Sequence, residues 1–476
     1  MAEKKVATGK MGIFSWIVLV IQLALSCALM FFLRNIVPVK YMGIAGSVLV
    51  GLVLLLFLGV YLSSKKSRKV LVGIFVAFSL IVSVVLGAGL VVVNQGLSTL
   101  DSVTEAEYQT HVISLVVLNE SKYEALVDLN GQTVGVVKNL DSENISKALD
   151  EIADVEKVSL TTVSYESIMD AALALMDGEI ESLLVNEAYR GLMADNVAGF
   201  EDGTRVIYQY EYKEELVVEN SSLDVTSDAF NIVISGIDTY GPVSTVSRSD
   251  VNMIVTVNPT TKKILLTSIP RDYYVKLASF GAYDKLTHAG VFGVEESMNT
   301  LSDLFGIEID YYVKVNFTSL ITIVDALGGI TVDNPRAFKG FAAGEIELDG
   351  REALSFSRER YSFSGGDNER VRNQQRVLTG IINKLMSPTV VKNYADVLDA
   401  ISGCFVTNMT SEEIQSLIQM QISDMSPWDI DMIAVTGTGS SSTTCFAMPG
   451  YSLYVMKPNY DSVEEATAQI EALLKE

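Results

Sequence analysis

Histidine and cysteine are nearly absent, with 2 His and 3 Cys among 476 residues. That excludes a Cys/His zinc framework and most of the disulfide-stapled scaffolds built by small secreted domains. Basic residues are also scarce: 35 Lys+Arg stand against 58 Asp+Glu, for a formal net charge of −23 and a pI near 4.5. A sequence-independent nucleic-acid binder needs Lys and Arg to displace phosphate counterions, so the balance argues against that class. Only 20% of residues are charged while 49% are hydrophobic, and the mean hydropathy is +0.31. Soluble domains rarely reach a positive value, so part of the chain is expected in lipid. The length suggests two or three folding units, each large enough to bury a core. Chemistry must come from carboxylates, arginines or hydroxyls.

What the sequence does have is long uncharged runs. Met11–Leu33 carries no charge over 23 positions, Tyr41–Ser64 none over 24 and Val70–Leu100 none over 31. At ~1.5 Å rise per residue against ~30 Å of hydrocarbon, each can span a bilayer as a helix. The first run exceeds a signal peptide and a second follows at once, so it reads as an anchor. Lys4, Lys5 and Lys10 precede the first run, and Lys65, Lys66, Arg68 and Lys69 fill the loop before the third. The positive-inside rule then puts residues 1–10 in the cytoplasm as a tail and everything after the spans (11–100) outside.

The outer portion divides by pattern. Residues 101–212 alternate short β-branched runs such as Val112–Leu118, Thr133–Val137 and Ser182–Val185 with helical runs such as Ile145–Ile152 and Ile168–Met176. That rhythm predicts a small α/β domain with no titratable constellation, a spacer or protein-docking module. Residues 213–229 read as a linker. From residue 230 to 476 a second α/β domain is expected, with helices on both faces of a sheet. Its strands are predicted at Asn231–Ile237, Val251–Val257, Ile264–Ile269, Tyr311–Val315 and Ile330–Val332. Thr410 with Glu413, and Ser462 with Glu465, have the spacing of capping boxes that open helices.

Arginine is concentrated. Of 13 Arg in the chain, seven lie between Arg336 and Arg376. Guanidinium forks suit phosphate oxygens, although a solvated helix face paired with Glu352, Glu359 and Glu369 is the bland alternative. Arg248 and Asp250 sit at i and i+2 before an apolar strand and share a face if extended. Asp238 closes one strand, and Pro270–Arg271–Asp272 closes another, at the sheet edge where α/β folds hold ligands. Asp367 precedes a helix whose first turns hold Arg370 and Gln374 at i and i+4; it reads equally as an N-cap. Two carboxylates near arginines suit Mg²⁺ bridging a pyrophosphate, with Asp238 and Asp250 as the candidate ligands. His111 and His288 lack metal-ligand spacing.

Five segments, NIVISGIDTYGPVSTVSRSDVNMIVTVN (231–258), ILLTSIPRDYYV (264–275), DKLTHAG (284–290), YYVKVNFTSLITIVDALGGITV (311–332) and LDGREALSFSRERY…GGDNERVRNQQRVL (348–378), resemble the LytR-CpsA-Psr family of Gram-positive cell-wall assembly proteins. The three spans and extra α/β domain look most like its capsule-associated CpsA branch. The resemblance implies a C-terminal α-β-α sandwich with a mixed sheet, and a multi-pass membrane protein with its later domains outside the cell. It implies an Mg²⁺-dependent phosphotransferase that moves a glycopolymer, capsular polysaccharide by this branch, from a polyprenyl (undecaprenyl) pyrophosphate carrier to peptidoglycan. Capsule-assembly proteins are expected partners and nucleic acid is not. Carried over, Asp238 and Asp250 hold the metal, and Arg248, Arg271, Arg358, Arg360, Arg370 and Gln374 bind the pyrophosphate. Arg271, Arg360 and Asp367 are the catalytic candidates, Asp367 as a base or secondary metal contact. Two alternatives share this site: a lipid-binding regulator of capsule synthesis, and a pyrophosphatase acting on the carrier linkage.

Overall fold

A computed structural model describes residues 10–34, 37, 39–65, 68–104, 108–137, 140–215, 223–237, 239, 242–362, 367–388, 390 and 394–476. These fall into two compact units. The first comprises residues 1–102 with 386–402 and 410–426. Its helices α1 (Lys10–Leu33), α2 (Val39–Lys65) and α3 (Lys69–Thr104) contain apolar segments Ile13–Leu33, Tyr41–Leu62 and Val70–Val91, each long enough to cross a membrane. They are apolar around their circumference, as lipid requires of a spanning helix whose backbone bonds are all internal. Val18, Leu19, Leu56, Val60, Val72 and Val76 pack together, and buried Ser79 donates a hydrogen bond to buried Gln22 across α3 and α1. Polar side chains paired inside a bundle in this way hold membrane helices in register. Helices Tyr394–Ile401 and Ser411–Asp424 belong to this unit too, and Thr410 with Glu413 makes the capping box that the spacing predicts.

The second unit holds a five-stranded sheet, a six-stranded sheet and three two-stranded ribbons. In the first, the chain runs β1 (Tyr108–Leu118), β2 (Thr133–Val137), α4 (Ser142–Asp154), β3 (Thr161–Tyr165), α5 (Ile168–Met176), β4 (Ser182–Asn186), α6 (Glu187–Asn196) and β5 (Thr204–Glu215). The strand order is β3-β2-β4-β1-β5, parallel through β3, β2 and β4 and antiparallel at β1 and β5. α4 packs on one face over Ile113, Leu115, Val134 and Leu184. α5 and α6 cover the other face, and their cluster continues into Val246, Val291, Met448, Leu453 and Val455 of the later chain. The core of the first sheet thus extends to segments of the later chain that flank the second sheet.

The second sheet comprises β6 (Phe230–Ile237), β7 (Ser249–Asn258), β8 (Lys263–Ile269), β11 (Tyr311–Asn316), β14 (Val406–Thr407) and β15 (Asp429–Ala434), in the order β14-β11-β6-β7-β8-β15, while β9 (Tyr274–Lys276) and β10 (Tyr283–Lys285) pair with each other as a ribbon. β7 runs antiparallel to both β6 and β8, β11 runs parallel to β6, and β15 runs parallel to β8. Helices α7 (Val294–Phe305) and α11 (Tyr460–Lys475) pack over Val233, Ile254 and Leu265. From the opposite side α10 (Asp367–Leu385) crosses β8 and β15, where buried Gln375 donates to the Leu266 and Ile433 carbonyls at 3.1 and 2.6 Å. This is the α-β-α sandwich with a mixed sheet.

Three local expectations change. Ile330–Val332 lies in β12 (Ile330–Asn334), which pairs only with β13 (Gly344–Leu348) as a separate ribbon. Strand β15 was not foreseen, because its half-exposed DIDMIA pattern has no buried face to reveal it. The Ser462–Glu465 capping box is not made: α11 starts earlier, at Tyr460, and Ser462 Oγ instead accepts the Thr436 N–H at 3.0 Å. Cys404 and Cys445 are both free thiols.

Candidate active site

The site forms where β6 and β8 end and β7 begins. β6 pairs regularly with β7 up to Gly236 opposite Val251, and then Ile237 stands opposite Ser249. Asp250 is thus the extra residue of a β-bulge, a device that re-aims a side chain at a sheet edge. Local chemistry fixes the bulge. Ser249, 0% exposed, donates its hydroxyl to Asn252 Oδ1 at 2.9 Å and lies 2.8 Å from the Ser235 hydroxyl, and Asn252 Nδ2 donates back to the Ser249 carbonyl. Gly236 sits where a Cβ would come within 2.7 Å of the Val251 Cβ. The i, i+2 argument assumed a regular strand, which the bulge at Asp250 replaces.

Asn252 pairs with Ile269, so the register carries Arg271 to a place beside Asp250. Arg271 Nη1 donates to Asp250 Oδ2 at 2.8 Å, and Thr287 Oγ1 donates to Asp250 Oδ1 at 2.9 Å. Burial pushes the Asp250 carboxyl up, but the Arg271 and Arg248 guanidiniums and the Thr287 hydroxyl outweigh it and hold the group below the usual carboxylate range. Arg271 Nε also lies 3.9 Å from Asp272, whose other oxygen takes Lys285 Nζ at 2.5 Å.

The segment 284–290 is docked by its backbone. Thr287 N donates to the Arg271 carbonyl and Leu286 N to the Tyr273 carbonyl, both at 2.8 Å. Gly290 permits this approach, because a Cβ there would meet Ser249 N at 2.5 Å. Within the segment, fully buried Asp284 accepts from Lys285 N, His288 Nδ1 and Ala447 N, each at 2.7 Å. His288 is therefore a local structural residue, as its spacing suggests, and His111 pairs with Glu214 of β5 at 2.9 Å.

β11 delivers Arg358 to this neighbourhood. Its last residue, Asn316, pairs with Ile237 and caps α8 (Phe317–Ala326) by accepting from Ser319 N. Asp349 and Glu352 form the capping box of α9 (Gly350–Arg358), and Gly350 lets the two helices touch: a Cβ would lie 2.3 Å from the Ile321 carbonyl oxygen. α9 then ends with the Arg358 guanidinium 4.2 Å from the centre of the Phe317 ring. Arg360 stacks on its neighbour Tyr361 at 4.7 Å.

Asn373 of α10 ties that helix to the Phe356 carbonyl at 3.2 Å, and α10 carries Arg370 and Gln374 one turn apart on one face. Arg372 is exposed and pairs with Glu369, in line with a surface role. Asp238 lies outside the described residues, as does the side chain of Asp367, the first residue of α10. The structure thus joins Asp250 and Arg271 directly, places Arg248 near enough for its charge to act on Asp250, and sets Arg358 at the same sheet end. Arg360, Arg370 and Gln374 sit on the adjoining α9–α10 segment.

Thr287 was missed by sequence reasoning, although a threonine inside the DKLTHAG motif was the available signal. Asp195 of α6, which pairs with Arg248, had no signal in sequence. Lys314 was also missed. It is buried in β11 and donates to the Ser244 and Thr245 carbonyls at 3.3 and 2.7 Å, and burial lowers its pKa to about 7.

One face of β6 and β11 is only partly covered. Val233, Ser235, Tyr312 and Lys314 are buried, but the alternate Ile232, Ile234, Val313 and Val315 are only half-buried, although β6 and β11 are not edge strands. Half-buried Leu320 and Ile323 of α8 and Leu378 and Ile381 of α10 add further apolar surface in the same unit.

The LytR_cpsA_psr family profile matches residues 196–469, more than half of the 476-residue chain. A second profile, described as DNA polymerase processivity factor, matches residues 65–185. That stretch takes in the apolar segment Val70–Val91, and residues 101–185 hold four Lys and no Arg against 17 Asp+Glu. Such a surface repels DNA. Among curated relatives, the polyisoprenyl-teichoic acid–peptidoglycan teichoic acid transferase TagU of Enterococcus faecalis is 38% identical over 197 residues, 40% of this chain and 65% of the relative. Its Bacillus subtilis namesake is 35% identical over 192 residues, 39% of this chain and 62% of the relative. The chain thus spans slightly under two thirds of either relative. Among solved structures, B. subtilis TagU is 29% identical with a TM-score of 0.41, over 52% of this chain and 98% of that one. TagT bound to LIIa-WTA is 28% identical with a TM-score of 0.42, over 55% and 96%.

Proposed function

The chain belongs to the LytR_cpsA_psr family, and on that premise we propose that it is a membrane-anchored phosphotransferase acting outside the cell. It moves a glycopolymer from a polyprenyl pyrophosphate carrier to a sugar hydroxyl of peptidoglycan. The observation that carries this reading is the Arg248–Asp250–Arg271 cluster at the ends of interior strands, with Arg358 at the same end and half-buried apolar surface on β6 and β11 behind it. A diphosphate needs the first and an isoprenoid tail the second.

The acceptor oxygen attacks the glycan-side phosphorus, the bridging P–O bond breaks, and polyprenyl phosphate leaves with the electron pair. The donor arrives activated, so no nucleotide is needed. Arg271 and Arg248 face charge that builds on the leaving phosphate, and their charge balance with Asp250 is set before substrate enters. Such preorganised electrostatics is the main requirement of phosphoryl transfer. Arg358, Arg360, Arg370 and Gln374 supply further donors, and Asp367 receives the acceptor's proton.

Asp250 is ionised and each of its oxygens accepts one hydrogen bond, so lone pairs remain for a cation. Mg²⁺ commonly takes one or two carboxylates and completes its shell with phosphate oxygens and water, a demand that Asp250 can meet, with Asp238 as the second candidate from the sequence. When bound, it would supply further neutralisation of the diphosphate.

The test is incubation of the full chain in lipid nanodiscs with lipid-linked glycan, peptidoglycan and Mg²⁺. Glycan conjugated to peptidoglycan supports transfer, and its loss with Arg271→Ala and with EDTA supports the assigned roles. Free glycan instead indicates a pyrophosphatase, and binding without turnover indicates a regulator. The glycopolymer in this reading is capsular polysaccharide, supported by the three spans and the extra α/β sheet, whereas the curated relatives are named for teichoic acid. Offering both donors in one reaction separates the two substrates.

A further inference from the structure

Arg248 is seated by the first sheet's helix, not by the strand that follows it. Asp195, in the last turn of α6, accepts a hydrogen bond from Arg248 Nη1. Gly191, one turn earlier, lies beneath the guanidinium plane: a Cβ there would meet Nη2 at 3.4 Å, Cζ at 3.7 Å and Nε at 3.8 Å. The guanidinium rests on this glycine at a spacing where a Cβ would make ordinary van der Waals contact and a longer side chain would enter the space it occupies. The C-terminal carbonyls of α6 add partial negative charge, which favours a cation at this end of the helix. The platform is firm. Asn186 caps α6 by accepting from Ala188 N, and Ala188, Tyr189, Leu192 and Met193 pack in one cluster with Val246 and Val291. Both platform residues precede residue 196, where the family match begins.

We infer that α6 is a wall of the diphosphate site, with Gly191 and Asp195 as positioning residues that hold Arg248 for the substrate anion. The inference rests on the functional reading above. Asp195 engages one of the five guanidinium N–H donors and leaves the others for phosphate oxygens. A fork already fixed in orientation loses less freedom on binding. Asp195 is 58% exposed, so water and salt screen its charge and its repulsion of an incoming anion is weak. Its orienting effect dominates.

The experiment measures binding of farnesyl pyrophosphate to the full chain in nanodiscs by calorimetry. Gly191→Leu alters no charge and keeps a strong helix former in α6. It is expected to raise Kd about tenfold by lifting the guanidinium off its seat, and Asp195→Asn about threefold, with Asp195→Glu recovering part of the loss. In an Arg248→Ala background neither substitution has a further effect, whereas a merely structural role would persist there. Binding by the wild-type chain with an unchanged Kd in Gly191→Leu, or a tighter one in Asp195→Asn, overturns the inference and leaves the reading of the site standing. Absence of binding by the wild-type chain overturns that reading and the inference together.

Discussion

Asp250 stays ionised although burial opposes it, because the Arg271 and Arg248 charges and the Thr287 hydroxyl favour the carboxylate. Its folded pKa lies below the unfolded value of ~3.9. The stability it contributes is therefore complete above pH ~4 and is lost as pH falls through the lower folded value. Thr287→Val removes one donor to a charged acceptor, which costs about 1.5–3 kcal/mol and moves the acid loss to higher pH. Thermal melting of the two proteins between pH 2 and pH 6 (roughly the range in which a carboxylate titrates) checks both effects.

Lys314 behaves in the opposite sense. Burial lowers its folded pKa to about 7, so between there and ~10.4 the unfolded chain binds more protons than the folded one and stability rises with pH. Lys314→Met should lose that alkaline rise. The same melting experiment, taken from neutral pH to about pH 10, tests it, and an equal rise in both proteins would refute the assignment. Neither residue advertised this in the sequence. Asp250 was legible as a carboxylate ahead of an apolar strand, but Lys314 looks like any strand lysine until its neighbours are in place.

At the scale of elements, Gly290 and Gly350 shape the site by letting backbone approach backbone. Gly290 has an ordinary helical φ of −62°, so it is space and not conformation that requires glycine there. A methyl group would press on Ser249 N and push the 284–290 segment away from β7. Gly290→Ala is expected to cost about 1–3 kcal/mol as overpacking. It should also lower transfer, because Thr287 and the Arg271 carbonyl move together; a stability loss with unchanged turnover would place the segment outside the site.

The strands and helices that carry these residues were readable from alternation, caps and turn residues, as in β6, β8, α10 and the Thr410–Glu413 box. The bulge at Asp250 was not, since it depends on Ser249, Asn252 and Ser235 meeting across two strands. Nor was the Asp195–Arg248 pair, which joins positions 53 residues apart in sequence. A single sequence shows periodicity along the chain; it does not show which distant side chains the fold brings face to face.

For the molecule as a whole, the reading requires that the sheet-bearing unit face the outside. Four basic residues cluster at 65–69 between the second and third spans, against Arg34 and Lys40 between the first and second. Lys and Arg are retained on the cytoplasmic side, and an odd number of crossings then carries every later residue out. The native thiols barely interfere with labelling: Cys445 is fully buried, Cys404 is half-buried and Cys27 lies in the first span. All three can be changed to Ser. In that background, Glu476→Cys should react with a membrane-impermeant maleimide on intact cells, whereas Arg68→Cys should react only after the membrane is opened. The reverse pattern would put the arginine cluster in the cytoplasm, away from peptidoglycan, and no arrangement of Arg248, Asp250 and Arg271 could then make this chain a wall-linking transferase.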